Sequence, residues 1–427
     1  MTVVAGMAGG AGGRTPARPQ LIRTINEQLL LEQIRRSGEL SRADLARTSG
    51  LSKPTVSLGL ANLERAGLVR ISGVRTGVPG PAAVLYEVHP EAGFVLALDA
   101  GSQFLRGAIM DFSGALRAKA TIPARATNGH GRVAQLVQLA RTLLGDLGLA
   151  MSDLTQTVLG SPGVYDPRRD ALALAGALEG WDQPDVLTEL RRVFGSSLMV
   201  ENDVDAAALA EQAHGHGRNV NSFAFVSVGT GVGMGLVLGG RLHRGAHGAA
   251  GEIGFLPLDH GEISDARDAR KRGSLEASAS AAGIVRAARR AGIAKPGEAR
   301  AVFAAAERGD QRAKRVVADE ALLVAKAILA VITVADPELI VLGGGIGQAA
   351  GFLEAVQSRL RKLAPVQPQL QVSALGADAV VDGCLAAGFD RAWELVTAGL
   401  AATAGVAGVA GVAGVALSDD ATAAADR

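Results

Sequence analysis

The chain of 427 residues holds a single cysteine, Cys384. A lone thiol excludes a disulfide framework and any structural zinc site of the four-cysteine or three-cysteine type. Net charge is almost absent too: 43 basic and 42 acidic side chains leave +1 at neutral pH, so the molecule has no overall sign bias. Long apolar runs are missing. Met1 to Gly13 is rich in Ala and Gly but carries nothing like the apolar core of a secretion signal. Two stretches lack charge. Asn219 to Gly240 holds six glycines and reads as strand, turn, strand. Leu395 to Ser418 carries a Gly-Val-Ala repeat whose valines, Val406, Val409, Val412 and Val415, recur every three residues. At that spacing they drift around a helix and make no stripe. The stretch reads as a low-complexity tail, with a membrane anchor as the alternative. A soluble cytoplasmic protein without a membrane partner is expected.

What is present is a chain able to fold. Hydrophobic residues make up 48% and charged residues 20%, enough for a sizeable core. The length suits two to four domains. Glycine is abundant, with 56 residues, about twice the usual share of ~7%. That many glycines point to turns and close backbone approaches, which suit a phosphate or ligand cleft. Charge is also unevenly spread. Residues 1–90 carry eleven basic and six acidic groups, whereas the remainder carries thirty-two and thirty-six. A basic first piece on an acidic body suggests that this piece meets a polyanion; chance surface charge is the alternative.

The first piece has the pattern of a winged helix. Leu21, Ile22, Ile25, Leu29, Leu30 and Ile34 recur near helical spacing, and Ser37-Gly38 ends the run. Ser41-Arg42-Ala43-Asp44 is a capping signature that opens a short helix to Thr48. Ser49-Gly50-Leu51 makes a tight turn. Ser52 then caps a second helix, with Pro54 in its first turn and Val56, Leu60 and Leu63 facing inward. Two short helices around a glycine turn form a helix-turn-helix, whose second helix enters the DNA major groove by its N-terminal end. Ser41, Arg42, Ser52, Lys53, Thr55 and Ser57 are the candidate DNA contacts. Leu68 to Ser72 and Val84 to Val88 read as a hairpin, and its loop from Gly73 to Ala83 supplies Arg75 as a wing contact. The alternative is a three-helix cap that only packs on the body.

In the body, the apolar run Phe94 to Leu98 ends in Asp99-Ala100-Gly101-Ser102, and a second strand returns from Phe104. Such a turn suits phosphate: glycine admits the backbone and an Asp can hold hydrated Mg²⁺. The strand Phe223 to Val228 leads into Gly229-Thr230-Gly231, and Leu339 to Leu342 leads into Gly343-Gly344-Gly345. Taken singly, each is also an ordinary turn; three in this order are far more specific. Between the first two lies Glu201-Asn202-Asp203, where a strand runs into a small-residue helix. Asp203 can accept a proton from a sugar hydroxyl and Asn202 can bond its neighbour. A plain helix cap at Asp203 is the alternative.

Five stretches together resemble the ROK family of repressors and sugar kinases, in its repressor branch. They are Leu40 to Ala46, Gly50 to Ser57, Ser161-Pro162-Gly163, Glu201-Asn202-Asp203 and Arg244 to Gly254. The resemblance covers roughly Leu21 to Leu395. It implies an α/β architecture: a winged helix-turn-helix followed by two ribonuclease-H-like, actin-like lobes around a cleft. It also implies a homodimer or homotetramer. Asn202, Asp203, Glu252 and Glu276 match the family's sugar contacts.

The pattern breaks in four places. Family kinases carry a zinc-binding His after the Gly-Glu-Ile-Gly segment, where this chain has Phe255. Aligned from Gly273-Ser274-Leu275-Glu276, the family's zinc-loop cysteines fall on Arg267, Ala269 and Ser274. No zinc or other metal is therefore expected at this place. His214 with His216, or His260 with Asp259, reads as surface histidine. The family's Asn before Trp181 is Ala177, which removes a further sugar contact. The phosphate turn has Asp99-Ala100-Gly101-Ser102-Gln103 where kinases favour Asp-x-Gly-Gly-Thr-Lys.

The expected layout is a flexible tail at 1–20, the winged helix at 21–90, a first lobe at 93–203 and a second at 204–398. The second lobe's last helix returns to the first lobe, and a low-complexity tail follows at 399–427. The expected function is a DNA-binding repressor that senses a sugar or sugar-phosphate effector. Its partner is a double-stranded operator. No enzyme activity and no ATP or Mg²⁺ are expected: Asp203 is a vestigial base, and Asp99, Gly101, Gly229, Thr230 and Gly231 are vestigial phosphate turns. The rivals are a sugar kinase with a DNA-binding arm and a regulator whose body only dimerises.

Overall fold

The computed structural model describes residues 19–76, 82–175, 178–258 and 273–403. Residues 1–18 and 404–427 of the expected tails (1–20 and 399–427), the wing tip at 77–81, Ala177, and Asp259, His260, Arg267 and Ala269 lie outside them, whereas residues 19–20 and 399–403 are helical. The chain divides into two compact units, Met1–Ala92 with Trp393–Arg427, and Gly93–Ala392.

The first unit is built on helix α1 (Pro19–Ser37), strand β1 (Leu40–Ser41), helices α2 (Arg42–Ser49) and α3 (Lys53–Arg65), and strands β2 (Val69–Arg75) and β3 (Ala83–Val88). The sheet order is β1-β3-β2. Ser41 and Asp44 form a reciprocal capping box at the start of α2. Gly50 ends α2 at φ 71°, a left-handed conformation that glycine adopts without steric cost. Ser52 accepts the Thr55 N–H to start α3, and Val56, Leu60 and Leu63 are fully buried. The hairpin is longer than the sequence pattern suggests, extending to Arg75, with a register shift between Ile71 and Gly73.

Helix α1 departs from its expected face. Ile22, Ile25 and Leu29 are 50%, 47% and 38% exposed, whereas Thr24 and Glu27 turn inward. The inner face is set by hydrogen bonds as well as by apolar burial: Asn62 of α3 donates to Glu27 at 2.6 Å. A pattern that counts only apolar residues misses this. The carboxy-terminal segment also departs from expectation. From Trp393 it belongs to the first unit, not to the body. Trp393 is buried with the Arg35 guanidinium 5.6 Å from its ring centroid, and Gln28 donates to the Thr397 carbonyl at 2.9 Å.

The second unit holds two sheets of the same design. The first contains β4 (Phe94–Asp99), β5 (Phe104–Asp111), β6 (Leu116–Pro123), β7 (Leu154–Ser161) and β10 (Met199–Asn202), in the order β10-β7-β4-β5-β6. The small hairpin β8 (Val164–Asp166) and β9 (Ala171–Ala173) lies beyond β7 in sequence. The second sheet contains β11 (Phe223–Val228), β12 (Val232–Leu238), β13 (Arg241–Leu242), β14 (Leu339–Gly343) and β15 (Gln369–Val372), in the order β13-β12-β11-β14-β15. In each, three antiparallel strands are followed by two parallel ones. The parallel strands read as continuous apolar runs because helices cover the sheet.

Helices α4 (Gly129–Asp146) and α5 (Pro184–Phe194) accompany the first sheet, whereas α6 (Asp203–His214) packs mainly on the second, with Ala207 and Ala208 in one cluster with Phe223, Phe225 and Val237. The second carries α7 (Ser274–Ala279), α8 (Ala281–Arg290), α9 (Ala299–Glu307), α10 (Gln311–Ala335), α11 (Gly344–Gly347) and α12 (Phe352–Leu363). Helix α13 (Ala379–Thr403) comes last, and its part up to Ala392 returns to the first lobe. There Lys119 of β6 pairs with Asp382 at 3.2 Å. Gly383 sits so close to α6 that an added Cβ would lie 1.7 Å from the Ala206 carbonyl oxygen, so no side chain fits. Among the described residues, no helix is long and apolar enough to cross a membrane.

Candidate functional site

In the first unit the N-terminal end of α3 is open. Ser52, Lys53 and Ser57 are exposed, and Thr55 is half-buried with its hydroxyl 2.8 Å from that of Ser52. Three other expected contacts are already engaged by the fold. Ser41 is buried, and its hydroxyl donates to Asp44 at 2.7 Å and accepts the Asp44 N–H at 3.1 Å. It builds the turn and offers no surface, which corrects its expected place among DNA contacts. Arg75 pairs with Asp44 at 3.1 Å, and the Arg42 guanidinium lies 5.2 Å from the Tyr86 ring centroid. Both remain exposed, so each presents its charge from a fixed position. Leu58, which the sequence reading did not single out, is half-exposed on the outer side of α3 beside Ser57. Its position two residues after buried Val56 was the available signal.

In the second unit, every residue singled out for effector or phosphate lines one cavity of about 430 Å³. Asp99, Gly101, Asn202, Asp203, Gly229, Thr230, Gly231, Glu252 and Glu276 all face it. The β4–β5 and β11–β12 turns reach the cavity because both sheets begin with the same hairpin. The second turn is tighter than the sequence suggests: β12 starts at Val232, and the Gly229 N–H donates to the Gly231 carbonyl at 2.9 Å.

The polar groups there are partly committed. Asn202 is the N-cap of α6: Oδ1 accepts from Val204 N at 2.8 Å and Asp205 N at 3.1 Å, while Nδ2 donates to the Gly163 carbonyl at 2.8 Å. Its oxygen is thus taken by the helix, and the second Nδ2 hydrogen is what Asn202 has left to offer in the cavity that it lines. The cap falls to Asn202 and leaves the Asp203 carboxyl for the cavity. The Ser161-Pro162-Gly163 turn is braced further by Trp181, whose indole N–H donates to the Ser161 hydroxyl at 2.8 Å. Glu276 accepts the Val232 N–H at 3.0 Å, which ties it to the second turn.

Burial pushes the Asp203 carboxyl up to about 7, with the negative charges of Asp99, Glu252 and Glu276 adding to the rise. Glu252 is raised by burial and then by Glu276. Asp205, two residues beyond Asp203, is pushed up to about 8 by burial and then by Glu201. Glu201 itself forms a forked ion pair with Arg244, whose Nε lies 3.2 Å from both carboxylate oxygens. Protonated and ionised carboxyls side by side suit polyols, since each hydroxyl both donates and accepts.

Two arginines were not foreseen. Arg106 Nη1 donates to Asp99 Oδ2 at 3.0 Å, and Arg132 donates to the Gly101 and Ala126 carbonyls. Arg106 was legible from hairpin register, because it stands directly opposite Asp99. Asp99 is buried and pushed up to about 6, by burial against the opposing pull of Arg106. With that carboxylate already ion-paired to Arg106, the donor set is a poor fit for a hydrated divalent cation at this turn. The zinc donor set does not fit either: Phe255 offers no lone pair and Ser274 no thiolate.

The sequence profile of the ROK family matches residues 95–387, and that of the MarR family matches residues 24–77. The chain is 36% identical over 230 residues to the bifunctional enzyme NanE/NanK of Brucella suis biovar 1, covering 51% of this chain and 42% of that protein. It therefore spans less than half the length of that relative. It is 23% identical over 397 residues to the xylose repressor of Caldicellulosiruptor bescii, covering 86% of this chain and 96% of the repressor. A solved ROK family transcriptional regulator, a homolog of the E. coli MLC protein, matches with a TM-score of 0.69 at 24% identity, over 91% of this chain and 100% of that one. That likeness speaks for the fold. Both repeated sheets and the cavity between their turns fall inside the 95–387 match, and by it the chain belongs to the ROK family.

Proposed function

We propose that this chain is a DNA-binding transcriptional repressor whose ROK cleft senses a sugar-like effector and does not phosphorylate it. The observation that carries this reading is the open N-terminal end of α3. Lys53, Ser57 and Leu58 are exposed on a helix whose other face is buried, in a helix-turn-helix geometry. The repressor name of a relative that aligns over most of the chain supports it. In this reading the protein works in the cytoplasm as a homodimer or homotetramer. Lys53, Thr55, Ser57, Arg42 and Arg75 contact DNA, and Asp203, Glu252 and Glu276 hold the effector.

The absence of catalysis rests on Asp99 being held by Arg106 and on the two unsuitable donor sets. No zinc and no Mg²⁺-ATP takes part. The kinase reading draws on the open Asp203 carboxyl and on the kinase-named relative. A coupled assay decides between them. Sugar-dependent ADP release that disappears in Asp203→Asn would reverse the ranking.

The DNA reading is tested by mobility shift with genomic fragments across a salt series. Affinity should fall steeply with salt as counterions are released, and no shift at low salt with any fragment would end the proposal. For the switch, an inducer binds the DNA-free protein more tightly than the complex, by the same factor by which it weakens DNA binding. Calorimetry with and without bound fragment measures that factor.

A further inference from the structure

The cleft has a second character that the carboxylates do not explain. Phe104, Phe255 and Leu174 line the cavity and are 42%, 40% and 49% exposed. Single exposed apolar residues on a surface are ordinary, but three in one concavity beside convergent polar groups mark a ligand wall. Leu174 has φ 56°, a left-handed conformation that a bulky side chain rarely takes. Such strain persists where the surroundings hold the residue, and it concentrates at binding sites. Phe104 follows the former phosphate turn, and the Arg106 guanidinium lies 5.8 Å from its ring centroid. Because Arg106 also neutralises Asp99, this end of the cleft is an aromatic surface backed by a compensated charge. The cavity volume of about 430 Å³ is in the range that buries drug-sized molecules.

We infer that the ligand is a glycoside with an apolar aglycone, its sugar held by Asp203, Glu252 and Glu276 and its aglycone lodged against Phe104, Phe255 and Leu174. The inference rests on the sugar-sensing reading and names its ligand class. Carboxylates select the hydroxylated end, and covering the three apolar side chains favours the other end through removal of apolar surface from water.

The test is calorimetry on the full chain with glucose, mannose, galactose and xylose, each paired with its phenyl β-glycoside. At least one phenyl glycoside should bind ten-fold or more tightly than its free sugar. That advantage should shrink to three-fold or less in Phe255→Ser and in Leu174→Gly. The second variant also relieves the backbone strain, so a folding defect does not mask the result. Free sugars that bind as tightly as their glycosides would overturn the inference and leave the sugar reading standing. The same holds for an advantage that survives both substitutions. If neither free sugars nor glycosides bind, the sugar reading falls, and this inference with it.

Discussion

Arg106 and Asp99 face each other across the β4–β5 hairpin, with the guanidinium nitrogen 3.0 Å from a buried carboxylate oxygen. Removing one partner of a buried pair leaves an uncompensated charge, typically at a cost of about 3–5 kcal/mol. Arg106→Ala should therefore destabilise the second unit strongly at pH 8. Without Arg106 the Asp99 carboxyl rises beyond its present value of about 6 and is protonated at pH 5. The loss should then be much smaller at pH 5, and Asp99→Asn should rescue the variant at pH 8. Urea denaturation at the two pH values measures both effects.

The carboxyls of Asp99, Asp203 and Asp205 lie at about 6, 7 and 8, all above the unfolded value of 3.8. The folded state therefore binds more protons than the unfolded one from about pH 4 upward. Stability from these groups is complete below the unfolded value and declines as pH rises to about 8. Each contributes a slope of at most ~1.4 kcal/mol per pH unit. Asp205→Asn should flatten the profile most between pH 6 and 8, as thermal melting would report.

Glu320 of α10 is 2% exposed, its Oε1 has no hydrogen-bond partner among the described residues, and burial holds its carboxyl well above the usual range. Leaving a buried polar group unsatisfied costs about 1–3 kcal/mol. Glu320→Leu should accordingly raise the midpoint of chemical unfolding by an equivalent amount, with an unchanged m-value.

On DNA, Lys53 and Leu58 should separate charge from sequence reading. Lys53→Ala should weaken binding to all fragments and lower the salt slope by about one. Leu58 is half-exposed on the outer side of α3, and an apolar side chain there would read a thymine methyl group if that helix enters the major groove. Replacing thymine by uracil in a bound fragment should then weaken the wild type and leave Leu58→Ala unaffected. Equal losses in both proteins would remove Leu58 from the readout.

Much of this was legible in the chain. The capping signals at Ser41 and Ser52 placed α2 and α3 to within a residue or two. The glycine turns after three apolar strands brought the cleft residues to one cavity, because backbone geometry at strand ends is locally encoded. Side-chain commitments were harder to read. The cap expected as an alternative at Asp203 is Asn202, since the choice between them depends on where the helix begins. Ser41 looked like a surface donor and is buried under its own cap. The inward turn of Thr24 and Glu27 depends on α3, a partner that helical periodicity does not contain.

Trp393 beneath Arg35 and the Thr397 carbonyl on Gln28 join positions up to 369 residues apart. A chain cut after Ala392 would strip α1 of both. In deletion mapping, a clipped tail would therefore imitate a lesion in the helix-turn-helix, although every residue of α2 and α3 stayed in place.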